Sequence, residues 1–227
     1  VDPVKALVAA GGFARRARLS GVSRTELNTA VASGRVIRIG RGFYGLGLPR
    51  GTETLAAAAA RTGGVVSHDS AAVLWHLEVA HAPGQHLTVP RNRSRAKVDG
   101  IEIHRADLRE GEVRQRAVVE VTSVLRTVLD CAQTLPTRYA VVIADSALRK
   151  GLISHEELVA ACAAVTGRGS DRVRRVGELA DPQCASVLES LLRVLLAEHG
   201  LRPPASQHPV HDADGGLIAW VDFAWLT

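Results

Sequence analysis

Apolar positions near the amino end change period more than once. Val4, Leu7 and Val8 fall at i, i+3 and i+4, which predicts a short amphipathic helix ended by Gly11-Gly12. Phe13 to Leu19 predicts a second helix carrying Arg15, Arg16 and Arg18. After a tight turn at Ser20-Gly21-Val22, the run Ser23-Arg24-Thr25-Glu26 has the form of a capping box, with Ser23 capping and Glu26 reaching back. Leu27, Ala30 and Val31 give this third helix an inner face, and Gly34 provides a left-handed stop. From Arg35 to Tyr44 the period falls to two, with Ile37 and Ile39 on one side and Arg38 on the other, as in a half-buried strand. Gly40-Arg41-Gly42 then permits a hairpin with Arg41 at its tip. Helices followed by a hairpin predict a winged helix-turn-helix over residues 1–48.

The next stretch mixes helical and alternating patterns and predicts an α+β middle domain over residues 52–170. Thr52 to Arg61 is an Ala-rich helix, and Ser67-His68-Asp69-Ser70-Ala71-Ala72 opens another that runs to about Leu77. Ser67 or Asp69 is expected to cap it; no G-x-S-x-G elbow supports a hydrolase built on the serines. His86 to Pro90 and Ile101 to His104 read as strands, joined by the basic loop Arg91 to Lys97 and an Asp99-Gly100 turn. Helices are expected from Thr122, from about Tyr139 to Lys150, and from Ser154 to Val165. Asp130 and Asp145 resemble a carboxylate pair in spacing, but each is expected to serve a salt bridge or a cap.

Charge sharpens the picture of the amino end. Residues 1–50 carry nine basic side chains against Asp2 and Glu26, a net +7, while the remainder nets −2 in a chain of +5 overall. A basic head on a near-neutral body is the footprint of a polyanion-binding module. Groove geometry then assigns roles. The start of the third helix would present Arg24, Thr25 and Asn28 to base edges, Arg41 would reach a minor groove or a phosphate, and Arg15, Arg16 and Arg38 would lie near the backbone of double-stranded DNA. Arg93 and Arg95 in the middle loop form a second candidate contact. A winged helix used for protein contacts, with an incidental basic surface, is the competing reading.

Gly11-Gly12, Leu19-Ser20-Gly21-Val22-Ser23, Ser33-Gly34-Arg35-Val36 and Arg41-Gly42-Phe43-Tyr44 resemble the N-terminal winged-helix domain of AbiEi-like antitoxins of type IV toxin–antitoxin systems. The likeness implies operator binding, autoregulation of an operon and a toxin or operon partner. Ser67 to Ala72, Thr122-Ser123 with Arg126-Thr127, and Ala144 to Gly151 look like the central region of the same proteins, which brings no transferable chemistry.

Ser186 to Leu196 is a strongly amphipathic helix with Glu189 near its start, followed by expected strands at Gln207 to Val210 and Leu217 to Trp225. Asp222 sits inside the apolar run Trp220-Val221-Asp222-Phe223-Ala224-Trp225, where an acid is costly without a partner or a task. Within an expected tail domain over residues 180–227, roughly residues 182–227 resemble the first half of a very-short-patch-repair-like endonuclease of the PD-(D/E)xK type. By that resemblance Glu189 and Asp222 would be ligands of Mg2+, with Gln207 a lesser candidate, and the metal would activate water. The family's further acid and histidine do not follow, so the chain as written is expected to be inactive and to hold no cofactor; a longer form would be a metal-dependent endonuclease. The absence of Met fits either trimming or a start codon read as Val1.

The expected fold class is therefore α+β: a winged helix, an α+β middle and an incomplete restriction-endonuclease-like tail. Cys131, Cys162 and Cys184 are widely spaced and read as reduced, buried thiols, and with no signal peptide or membrane span visible the expected location is cytoplasmic. The nine histidines show no metal-site spacing; His208 and His211 form at most a weak pair. A homo-oligomer through the Ala-rich helices is left open.

Overall fold

Asp2 caps the first helix, α1 (Pro3–Ala9), by accepting from the Val4 N–H at 3.3 Å, and Pro3 supplies the fixed φ that suits a first turn. The computed structural model describes residues 1–40, 42–47, 52–92, 97–116, 119–201 and 204–225. It divides into two units, Val1–Ser70 with Gly84–Ser123, and Ala71–Pro83 with Val124–Thr227.

In the first unit, Gly11 and Gly12 take φ values of 83° and 91°, turning the chain out of α1. The helix expected over Phe13 to Leu19 does not form. Its place is taken by a strand, β1 (Phe13–Arg15), and a single 3-10 turn at Arg16–Arg18. The helix α2 (Arg24–Ala32) leads to β2 (Ile37–Gly40) and β3 (Phe43–Gly45), and the three strands form a sheet in the order β1-β3-β2. Pairing explains the difference: Phe13, Ala14 and Arg15 lie antiparallel to Gly45, Tyr44 and Phe43. Burial of Phe13 and Ala14 on that sheet outweighs the helical preference of an Ala- and Arg-rich segment. Leu7, Leu19, Leu27 and Val36 are almost wholly buried and form the small core beneath.

The chain continues through α3 (Thr52–Thr62) into a five-stranded mixed sheet. Its strands are β4 (Val65–Val66), β5 (His86–Val89), β6 (Glu102–Arg105), β7 (Val113–Arg116) and β8 (Val119–Thr122), in the order β6-β5-β4-β8-β7. The expected Asp99-Gly100 turn is present, closed by a Val98–Ile101 bridge and a φ of 73° at Gly100. That turn reverses the chain before β6, so β5 and β6 run parallel and do not form a hairpin.

In the second unit, α4 (His68–Leu74) supplies its last residues, and a helical cluster comes after it: α5 (Val124–Thr134), α6 (Thr137–Arg149), α7 (His155–Ala164), α8 (Ser170–Leu179) and α9 (Val187–Glu198). Ala140 to Leu148 are all buried, so this stretch of α6 is covered on every side. Asp145 lies within it, fully buried. Its carboxylate accepts from the Asp181 N–H and the Ser190 hydroxyl, both at 2.7 Å, and Arg193 lies 3.5 Å away. Asp130 pairs with Arg126 at 2.8 Å. Both acids are thus structural, as expected. The unit ends in an antiparallel hairpin, β9 (Ala205–His211) and β10 (Leu217–Ala224). No described helix is long and apolar enough to cross a membrane.

Candidate nucleic-acid interface

The capping box at the start of α2 forms as the sequence predicts. Ser23 accepts from the Glu26 N–H at 3.1 Å, and the Glu26 carboxylate accepts from the Ser23 N–H at 2.7 Å. Hydrogen bonds from the Ser23 side chain and backbone, with the amino terminus, hold the Glu26 carboxyl down to about 2. The box fixes the first turn of α2, which carries Arg24 and Thr25; Asn28 comes one turn later. All three are exposed, while Leu27 and Ala30 point into the core. The helix therefore presents a polar outer face at its amino-terminal end.

On the hairpin, Arg38 is exposed on β2 opposite Tyr44, with Ile37 and Ile39 half-buried as the alternation predicts. Arg16 is half-buried in the 3-10 turn, its N–H donating to Gly42 at 2.8 Å. Among the described residues, the side chains of Arg16, Arg24 and Arg38 make no hydrogen bond and no ion pair. Arg15 differs: its guanidinium donates to the Ala59 carbonyl at 3.3 Å, which ties it to α3. Arg35 pairs with Asp2 at 2.8 Å, and Arg18 donates to Gln115 at 2.6 Å. The basic head is thus split into cations used internally and cations left for solvent or a ligand. Arg41, Arg93 and Arg95 lie outside the described residues.

The three acid and amide positions singled out in the tail do converge. Gln207 Nε2 donates to Glu189 Oε2 and to Asp222 Oδ1, each at 3.0 Å. Glu189 also accepts from the Ala185 N–H at 3.0 Å and the Ser186 hydroxyl at 2.7 Å. Burial pushes its carboxyl up, but these hydrogen bonds and Arg149 outweigh that and leave it below the usual range. Glu189 is thus a capping acid for α9 whose oxygens are taken by protein donors. The Gln207 amide joins the two carboxylates where a cation would have to stand, so this arrangement does not fit Mg2+. Asp222 is exposed, not buried in an apolar strand, because the two-stranded hairpin leaves Leu217, Ile218 and Trp220 exposed as well.

One grouping has no counterpart in the sequence pattern. The five-stranded sheet brings His86, Glu102 and His104 together beside His68 and Asp69, although no spacing between them follows a metal-binding pattern. The available signal was the strand alternation of His86 and His104, which needs the parallel register to become a cluster.

Comparison with known proteins bears on the amino end and on the whole chain. Residues 4–47 match the family described as transcriptional regulator, AbiEi antitoxin. Over its length the chain is similar to Uncharacterized protein MT2308 and Uncharacterized protein Rv2248, from two strains of Mycobacterium tuberculosis. Each is 31% identical over 208 residues, spanning 90% of this chain and 75% of the relative.

Proposed function

Because the chain belongs to the family of these mycobacterial proteins and opens with an AbiEi-type segment, we propose that it is a DNA-binding regulator that represses its own operon. One observation carries the reading: among the described residues, Arg16, Arg24 and Arg38 stand without an internal partner on the turn, the helix and the hairpin strand of residues 1–48. These three cations remain available to a polyanion, whereas Arg35 is committed to Asp2.

In this reading α1, β1, α2 and the β2–β3 hairpin form a winged helix. Arg24, Thr25 and Asn28 face base edges in the major groove, Arg38 and Arg16 contact phosphates, and Arg41 extends the wing toward the neighbouring groove. Arg15 serves packing on α3 more than DNA. A toxin encoded in the same operon is the expected protein partner. The test is binding of labelled duplex from upstream of the gene against scrambled duplex. Arg24→Ala should narrow the preference by about 1–3 kcal/mol, whereas Arg38→Ala should weaken both duplexes alike. Equal binding of the two duplexes by the parent protein contradicts a regulatory role.

A second reading, an endonuclease-type tail, requires the Gln207 amide to leave the Glu189 and Asp222 carboxylates that it now joins. No step through a metal is proposed for the arrangement described. Mg2+-dependent cleavage of plasmid DNA, lost in Asp222→Ala, would bring that reading forward; no cleavage by any form of the protein removes it.

A further inference from the structure

Alternation along β5 and β6 sorts their side chains by face. The parallel register sets His86 beside Glu102 and Thr88 beside His104, so these four share one face while Leu87, Val89 and Ile103 take the other. The outcome is two imidazoles aimed at each other: His86 Nδ1 lies 3.0 Å from His104 Nε2. Glu102 stands over the gap, with carboxylate oxygens 3.7 Å from each of those nitrogens.

The groups around this trio hold it in place. Asp69 Oδ1 lies 3.0 Å from His86 Nε2, and Asp69 Oδ2 accepts from the Gly84 N–H at 3.0 Å. The Ser70 hydroxyl donates to the Gly84 carbonyl and accepts from the His86 N–H, both at 2.9 Å. The His68 ring lies over the His104 ring with centroids 3.5 Å apart, and His68 itself sits at φ 55°, in the left-handed region that favours glycine. Thr88, on the same face, is 1% exposed, and its hydroxyl has no hydrogen-bond partner among the described residues.

We propose that His86 Nδ1, His104 Nε2 and the Glu102 carboxylate bind one divalent transition-metal ion of the zinc class. Two neutral imidazoles and a carboxylate are the donor set such ions prefer. A tetrahedral ion with bonds of about 2.0–2.1 Å holds its nitrogen ligands about 3.3 Å apart, so the pair needs to open by only a few tenths of an ångström. Asp69 places the His86 proton on Nε2 and leaves the Nδ1 lone pair facing the gap, which is how a carboxylate behind a histidine orients a ligand. The Glu102 side chain is 66% exposed, so a fourth position faces solvent. The site stands independently of DNA binding.

The experiment uses the full chain, stripped of metal, titrated with Zn2+ by calorimetry and with Co2+ followed by its visible ligand-field bands. A single equivalent should bind. His104→Ala and Glu102→Gln should each weaken binding at least tenfold and abolish the four-coordinate Co2+ spectrum. Asp69→Asn should weaken it by about 10–100-fold, as loss of a supporting carboxylate does. His208→Ala should change nothing. Should His104→Ala fail to fold by circular dichroism, Glu102→Gln decides, because that side chain is exposed. No uptake by the parent protein, the result expected if the two rings share only a proton, overturns the proposal. So does unchanged affinity in Glu102→Gln.

Discussion

Removing the Arg193 guanidinium tests whether the second unit is built around a buried ion network. Arg193 is 5% exposed, and Asp145 is fully buried. The guanidinium donates to the Leu179 carbonyl and to Cys184 Sγ, and lies 3.5 Å from Asp145 and 3.8 Å from Asp181. Burial raises the Asp145 carboxyl to about 6, against the Asp181 N–H, the Ser190 hydroxyl and Arg193, which pull it down. Since the folded value exceeds the unfolded one, the folded protein binds the extra proton and stability falls as pH rises from about 4 to about 6. The loss over that window is about 3 kcal/mol for this group. In Arg193→Met the remaining hydrogen bonds must hold an uncompensated carboxylate at neutral pH, which costs about 3–5 kcal/mol. Near pH 5 Asp145 is already mostly protonated in the folded state, so the same substitution should cost about half as much. Urea unfolding of both proteins at pH 5 and pH 7.5 reads the difference directly. Adding Asp145→Asn should recover part of the loss at pH 7.5 and little at pH 5. A penalty that is the same at both pH values would refute the reasoning.

Ser23→Ala should cost about 1 kcal/mol by thermal melting, because the Glu26 N–H loses its acceptor. Under the proposed function it should also weaken DNA binding, since the first turn of α2 loses its anchor. Gly45→Ala should destabilise the amino-terminal sheet by about 1–3 kcal/mol, because a Cβ there would meet the Phe13 ring at 2.5 Å and Ile39 Cδ1 at 2.7 Å. Gly84→Ala should weaken Zn2+ uptake with little change in the helical signal, since its Cβ would lie 2.3 Å from His86 Nε2.

Local signals were readable wherever they were self-contained. The capping box at Ser23 and the stop at Gly34 depend on residues within one turn, and α2 starts where its box predicts. Periodicity placed α5, α6 and α9 for the same reason. Pairing across the sequence was not readable. β1 exists because Phe13 finds Gly45, and β4 is two residues long, too short to show any period. The apolar neighbours of Asp222 suggest a covered strand, whereas the β9–β10 hairpin leaves Asp222 exposed. The histidine cluster shows the same limit: β5 and β6 each contribute an ordinary-looking histidine, and only their parallel register makes them neighbours.

The most direct measurement is the salt dependence of duplex binding by fluorescence anisotropy. If Arg16 and Arg38 each displace a counterion from a phosphate while Arg24 reads a base edge, log K should fall with log salt at a slope of about −2, steeper with any contact from Arg41. The triple alanine variant should lose most of that slope while keeping its melting temperature. A flat response in the parent protein, or a slope untouched by the three substitutions, would contradict the assignment of the basic head to DNA.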